Sequence, residues 1–351
     1  MKKIVIFSLA AWAALACSCN QKLPYNPPVV PVEPEVPVLT YAKGADVSWL
    51  TLMENKNYTF KNAAGEETEC MKLLRDECGV NAVRLRVWVN PADGWCNSED
   101  VLLKARRARA LGLAVMIDFH LSDVWADPLH QEVPAAWEGH TLEELQQDVR
   151  QHIVSVLGKL KAVGVKPQWV QVGNETHGGM LYDLGKVENG SNFASLVNAG
   201  HAAVKEVFPD AKTIVHIDGG QTWANYTRIY GYLKTQDATY DMIGVSFYPA
   251  GPSDEGGSDD LTSTDALIAN LKQAATEYGK PVMVCEIGMH VDDGEFCKKV
   301  LTRIMQELPA GSELQGIFYW EPQAPGGFNG GYRKGCFKNG RPTQALDPFK
   351  E

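Results

Sequence analysis

Eight short apolar runs, rich in β-branched residues and mostly separated by helix-like stretches, constrain this chain more than any other feature. The runs cover residues 44–48, 82–89, 114–120, 169–175, 213–218, 242–248, 282–286 and 316–320. Segments of helical character lie between them, at 100–111, 142–163, 192–208, 264–278 and 294–307. Pro209 closes the third of these, because proline cannot continue a helix. Strand followed by helix, repeated, means parallel strands joined by helical crossovers. Eight such units in about 310 residues predict an α/β fold, the closed (β/α)8 or TIM barrel, as a single domain. The open alternative is a doubly wound sheet. It ordinarily binds a nucleotide through a glycine-rich first turn, and no GxGxxG or Walker A pattern follows a strand here.

The first 40 residues do not belong to that pattern. Lys2 and Lys3 precede an apolar stretch at 4–16, which is too short for a typical transmembrane helix. Ala14-Leu15-Ala16-Cys17, followed by Ser18-Cys19, is similar to a bacterial lipobox. Residues 1–19 are therefore expected to be a lipoprotein signal peptide, with Cys17 or Cys19 as the acylated residue and membrane contact through that lipid. Six prolines in residues 20–40 forbid helix and interrupt sheet pairing, which predicts an extended tether. The domain then spans 41–351. A net charge of −10 disfavours nucleic acid, whose phosphates would be repelled, and is compatible with a neutral sugar polymer. The remaining cysteines, Cys70, Cys78, Cys96, Cys285, Cys297 and Cys336, contain no CxxC pair, which argues against zinc, and their spacing assigns no disulfide.

In a barrel of this kind the chemistry sits at the C-terminal strand ends. Those ends carry Asp46; Arg84 and Arg86 with Trp88 beyond; Asp118-Phe119-His120; Asn174-Glu175; His216 and Asp218; Tyr248; Glu286; and Trp320-Glu321. Glu175 and Glu286 end apolar strands four and seven, where a charge is costly unless it has a partner or a task. Strict alternation would place Val284 and Glu286 on one face and turn Cys285 to the helix layer. Two opposed carboxyls are what glycosidic cleavage needs: one protonated, to donate to the leaving oxygen, and one ionised, to attack the anomeric carbon. Glu175 is the expected acid/base and Glu286 the expected nucleophile, with Arg84 keeping Glu286 ionised and Asn174 reaching a sugar hydroxyl. Asp118, His120 and Asp123 read as a hydrogen-bonded cluster rather than a metal site. Trp320 reads as a floor for a sugar ring. Trp88, Trp125 and Trp137 stay open between cleft and core. The pairs Gly326-Gly327 and Gly330-Gly331 mark a loop over the site, a lid or a plain connection.

Taken together, GADVSWL (44–50), GVNAVRLRVWVNPADG (79–94), GLAVMIDFHLSDVWADP (112–128), VQVGNETHGGMLY (170–182), HIDGG (216–220), GVSFYP (244–249), PVMVCEIG (281–288) and GIFYWEP (316–322) resemble glycoside hydrolase family 53, the endo-β-1,4-galactanases. The resemblance implies endo-acting, retaining cleavage of β-1,4-galactan in pectin, with release of galacto-oligosaccharides. It implies Glu175 as acid/base and Glu286 as nucleophile, and places Arg84, Trp88, His120, Asp123, Asn174, Tyr248 and Trp320 along the substrate cleft. The sequence departs from the family at Thr176, at Leu181-Tyr182-Asp183, at Ala250-Gly251-Pro252 and at Ile287-Gly288-Met289, in loops that shape subsites and product length. Some bacterial relatives hold a structural calcium in a long Asp-rich loop. Here Asp254, Asp259 and Asp260 lie in a short Gly-rich stretch, and no cofactor or essential metal is expected. An outer-membrane lipoprotein at the cell surface and a monomer complete the expectation. Two rivals remain: a retaining glycanase of the same clan acting on another β-glycan, and a non-catalytic glycan-binding lipoprotein. The presence of both carboxyls and Asn174 weighs against the second.

Overall fold

The computed structural model describes residues 36–351. Eight parallel strands close into a barrel in sequential order. They are β1 (Ala42–Asp46), β2 (Ala82–Val87), β3 (Ala114–Phe119), β4 (Trp169–Val172), β5 (Lys212–Ile217), β6 (Met242–Phe247), β7 (Val282–Ile287) and β8 (Leu314–Trp320). β8 returns to β1 with Gly44 opposite Phe318 and Asp46 opposite Trp320, so the sheet has no edge. Helices α1 (Leu50–Asn55) and α2 (Cys70–Cys78) join β1 to β2. The next three crossovers are α3 (Ser98–Ala110), α4 (Leu142–Ala162) and α5 (Asn192–Val207). β5 reaches β6 through α6 (Trp223–Tyr226), a π-helical turn (Thr227–Gly231) and α7 (Tyr232–Thr235). The last two are α8 (Thr262–Tyr278) and α9 (Gly294–Glu307). Local chemistry sets the helix ends. Asn97 accepts the Glu99 and Asp100 N–H groups ahead of α3, and Thr141 and Glu144 form a reciprocal capping box on α4.

The expected signal peptide, with Cys17 and Cys19, lies outside the described residues, as does most of the 20–40 tether. The end of that tether does not. Val36 and Leu39 pack against the base of the barrel. The Leu39 N–H donates to Gln168 Oε1 at 2.9 Å, and its carbonyl accepts from Gln168 Nε2 at 2.5 Å.

Alternation along each strand separates two environments. On β2, Val83, Leu85 and Val87 face the helices, while Ala82, Arg84 and Arg86 turn inward. The lower interior is apolar: Ala42, Ala82, Ala114, Met116, Trp169, Ile214, Met242, Met283 and Phe318. Trp169 and Phe318 meet edge-on there at 6.0 Å. A ring as large as Phe318 fits because Gly44 faces it; a Cβ at Gly44 would lie 2.2 Å from Phe318 Cδ1.

Strict alternation fails in β7. The register passes from Val245 opposite Val284 to Ser246 opposite Glu286, a bulge that inserts one residue. Val284 therefore packs on the helix side, and Cys285, expected among the helices, joins the interior. Its sulfur fills the space beside Gly244, where a Cβ would come within 2.7 Å of it. Glu286 still faces the mouth, because the bulge resets the phase. Cys70, Cys78, Cys96, Cys285, Cys297 and Cys336 are all buried free thiols.

Candidate active site

Above the apolar floor the same strands carry charge. Arg84 is fully buried at the centre. Its Nη1 lies 2.7 Å from Asp46 Oδ2, and its Nη2 lies 2.8 Å from Asp118 Oδ2 and 2.9 Å from Glu286 Oε1. Nη2 also donates to Asn174 Oδ1 at 2.9 Å. Three carboxylates around one guanidinium are tolerable in a dry interior only because each is paired or hydrogen-bonded. Asp46 also accepts from the Ser48 hydroxyl at 2.6 Å. Burial pushes the Asp118 carboxyl up, but Arg84 and His120 outweigh it and hold it below its ordinary value. His120 Nδ1 accepts from Trp88 Nε1 at 3.3 Å and from the Ala126 N–H at 3.0 Å. The proton is thereby assigned to Nε2, 3.0 Å from Asp118.

The two expected glutamates line one cleft and are tuned apart. Glu286, 5% exposed, has a hydrogen bond on each oxygen: Arg84 on Oε1, and the Tyr248 hydroxyl on Oε2 at 2.7 Å. Burial leaves its pKa raised, with Arg84 and Tyr248 opposing the rise. Glu175 is half-buried and has no cationic partner among the described residues. Burial first and the charge of Glu286 second push its carboxyl well above the ordinary range. A single proton shared between the two therefore resides on Glu175.

The backbone holds Glu175 in an unusual place. Its φ is 45°, a left-handed conformation that costs a non-glycine residue about 1–3 kcal/mol. Neighbouring bonds maintain it. Gln131 Nε2 donates to the Asn174 carbonyl at 2.8 Å, and the Thr176 N–H donates to the His216 carbonyl at 2.8 Å. Burial and Arg84 keep the His216 imidazole neutral. Its Nδ1 accepts from Gln171 Nε2 at 2.8 Å, and its Nε2 lies 2.9 Å from Ser246 Oγ.

The cleft, of about 380 Å3, is walled by Trp49, His120, Trp125, Asn174, Glu175, Tyr248, Glu286, Trp320 and Tyr332, with Ala126, Asp127 and Asn329 at its margin. Of the residues singled out from sequence, Glu175, Glu286, His120, Asn174, Tyr248 and Trp320 come together on this wall. Arg84 lies beneath it, out of reach of a ligand. Trp88 is buried behind Trp125, their ring centres 5.2 Å apart. Asp123 is used elsewhere: its oxygens accept the Asn90 N–H at 2.8 Å and the Ala135 N–H at 2.9 Å, clamping two loops. Trp137 packs in the core beside His152. Asp218 pairs with His177.

Trp49, Tyr332 and Asn329 escaped the sequence reading. Trp49 follows strand one by three residues, and a strand-end aromatic is a signal that could have been read. Tyr332 and Asn329 come from the glycine-rich loop, which folds back over the mouth. The Tyr332 hydroxyl donates to the Trp320 carbonyl at 2.6 Å, and the two rings meet at 4.9 Å. Asp254 pairs with Lys334, Asp259 with Lys299, and Asp260 accepts the Thr262 N–H. Among the described residues, no group of three or more His, Cys, Asp or Glu side chains is placed to hold a metal.

Comparison with known proteins gives the same picture. The family profile described as glycosyl hydrolase family 53 matches residues 42–310. An arabinogalactan endo-β-1,4-galactanase of Thermothelomyces thermophilus is 32% identical over 307 residues, which is 81% of this chain and 90% of that protein. A protein of Niallia circulans, described as an uncharacterized protein in the bgaB 5′ region, is 34% identical over 314 residues, 80% of this chain and 82% of its own length. Among solved structures, a fungal β-1,4-galactanase superposes with a TM-score of 0.79 at 31% identity, covering 89% of this chain and 99% of that one. The family 53 catalytic domain of Ignisphaera aggregans superposes with a TM-score of 0.78 at 26% identity, covering 91% and 98%. An endoxylanase of family 10, at 16% identity and a TM-score of 0.61 over 89% of this chain and 97% of that one, shares the barrel fold. With its closed barrel, its paired glutamates and these relatives, the chain belongs to glycosyl hydrolase family 53 and is a glycoside hydrolase.

Proposed function

We propose that this enzyme cleaves β-1,4-galactosidic bonds inside the galactan side chains of pectin, with retention at the anomeric carbon, releasing galacto-oligosaccharides. The observation that carries the reading is the unequal anchoring of two carboxyls in one cleft. Glu286 is ion-paired to Arg84 and hydrogen-bonded by Tyr248, while Glu175 has no ion pair among the described residues and is raised further by burial and by Glu286. Relatives named as endo-β-1,4-galactanases support the substrate.

In this mechanism Glu175 donates its proton to the glycosidic oxygen while a Glu286 oxygen attacks the anomeric carbon. The bond to the leaving sugar breaks, and an ester between Glu286 and the glycone forms. As the negative charge of Glu286 disappears into that ester, the carboxyl of Glu175, now ionised, loses the repulsion that added to the effect of burial, and its pKa falls. Glu175 then takes a proton from water, the water attacks the same carbon, and Glu286 leaves as carboxylate. Two inversions give retention. His120, Asn174, Tyr248 and Trp320 contact the sugar. Arg84 and Trp88 act from beneath, and Asp123 shapes the rim by holding its loops.

The test is product release from unsubstituted β-1,4-galactan beside β-mannan, xylan and cellulose, with the anomer formed first read by proton NMR. Galactan alone should yield oligosaccharides, first as the β-anomer. First release of the α-anomer would remove the retaining mechanism, and cleavage of another polymer would remove the substrate. No cofactor enters any step. Export and acylation at Cys17 or Cys19, with the domain outside the cell as a monomer, extend the proposal on the strength of the N-terminal sequence. Incorporation of an alkyne fatty acid into the wild-type protein, lost in Cys17→Ala or in Cys19→Ala, tests the anchor.

A further inference from the structure

The barrel mouth holds a second buried guanidinium, and it is bound differently from the first. Arg86 lies two residues beyond Arg84 on β2 and is equally buried. Its Nε and Nη1 have no hydrogen-bond partner. Nη2 reaches the Cys96 sulfur at 3.5 Å, and Nη1 stands 3.6 Å from Glu321 Oε1. The Glu321 oxygens serve other donors: the Trp49 N–H at 2.9 and 3.1 Å, and Gln323 Nε2 at 2.6 Å. A buried cation so poorly hydrogen-bonded is expensive, and such a group calls for an explanation.

What surrounds Arg86 is indole. Its guanidinium carbon is 4.2 Å from the ring centre of Trp125, 5.1 Å from Trp88 and 5.8 Å from Trp49. A desolvated cation over aromatic faces is stabilised by their negative quadrupole, which opposes the cost of burial. Trp125 and Trp49 are also cleft walls. Trp125 sits in the long irregular segment after β3, where no strand or helix orients it. Its ring is placed by what it touches, and the charge below it is the shortest of those ring contacts.

We infer that Arg86 is a positioning residue for substrate, acting through Trp125: it holds that indole from beneath so that the ring stands as a sugar-binding wall beside the two glutamates. The inference rests on the glycan-cleft reading above. Arg86 touches neither the reacting atoms nor the ligand, so its removal should weaken binding rather than slow bond cleavage.

The experiment compares Arg86→Met, Trp125→Ala and the double variant on β-1,4-galactan, and follows 5-fluorotryptophan-labelled protein by 19F NMR, with Trp125→Phe to assign the Trp125 signal. Arg86→Met should raise KM about tenfold, with kcat within about twofold, as expected for one lost cation–π contact. Trp125→Ala should do the same, and the double variant should be no worse than Trp125→Ala alone. The Trp125 resonance should shift or broaden in Arg86→Met. Should that variant fail to fold, Arg86→Lys carries the same test: it keeps the charge but not the plane, and should raise KM by about threefold. Additive KM effects in the double variant, or an unmoved Trp125 resonance, would overturn the inference. The NMR arm needs no turnover, so inactivity of the wild type on galactan would count against the substrate alone.

Discussion

The barrel interior has two storeys built by the same strands. At the base, Trp169, Phe318, Met116 and Met283 interlock with Ala42, Ala82 and Gly44. One or two inward positions higher stand Gln171, Trp320, Asp118, Glu286, Asp46 and Arg84. Strand pairing serves both storeys alike; only the side chains differ. The lower storey has volume to fill and carries no charged side chain. The upper storey is crowded with charge, each group depending on a neighbour. The difference teaches how one scaffold separates stability from chemistry: dense apolar packing fixes the strands, and that rigidity lets the strands hold carboxylates where isolated ones would be too costly.

The sharpest test of that separation is removal of the expected nucleophile. Glu286→Ala should lower kcat on galactan by about 10^4-fold, while its thermal midpoint moves by no more than about 3 °C. Reducing-end release and a circular dichroism melt measure the two quantities, and near-normal turnover would end the assignment. Truncation below should do the reverse. Phe318→Ala should cost about 3–5 kcal/mol in a denaturant titration, yet leave kcat of the folded protein within about threefold at low temperature. A collapse of kcat there would show that the storeys cannot be separated.

Glu321 offers a subtler comparison, because it belongs to the upper storey without lining the cleft. Burial, with Asp46 adding to it, raises its pKa to about 8. Between its ordinary value of 4.5 and about 8, the folded protein then holds one more proton than the unfolded chain at this position. The stability contributed is therefore complete below pH 4.5 and lost as pH rises toward 8, with a slope of at most about 1.4 kcal/mol per pH unit. Glu321→Gln should flatten that dependence in denaturant titrations across the window; an unchanged slope would assign it to other groups. The smallest effect is expected from Tyr248→Phe. Glu286, raised by burial, loses a hydrogen bond to its charged form, so the acid limb of kcat/KM should move up by about one pH unit.

Much of the upper storey was legible because strand ends in a parallel barrel converge: Arg84, Asn174, Glu175 and Glu286 could be placed from period and order alone. What escaped depends on local backbone irregularity. The bulge at Cys285 depends on how β7 registers against β6, and no residue type announces it. The family resemblance places Asp123 along the cleft, but two backbone N–H groups claim its oxygens. Tyr332 reaches the mouth only because a glycine-rich turn, with Gly327, Gly330 and Gly331 at φ of 89°, 87° and 107°, reverses the chain. The guanidinium of Arg86 could be listed from sequence, but its indole cage is assembled from Trp49, Trp88 and Trp125 after three different strands.

Leu39 clasps Gln168 at the barrel base, the end opposite the glutamates. A strand of five or six residues spans about 17–20 Å, so the chain enters roughly that far from the cleft. Val36 and Leu39 therefore lie on the side of the barrel away from Glu175 and Glu286. A long polysaccharide can then lie across the open mouth without meeting Val36 or Leu39.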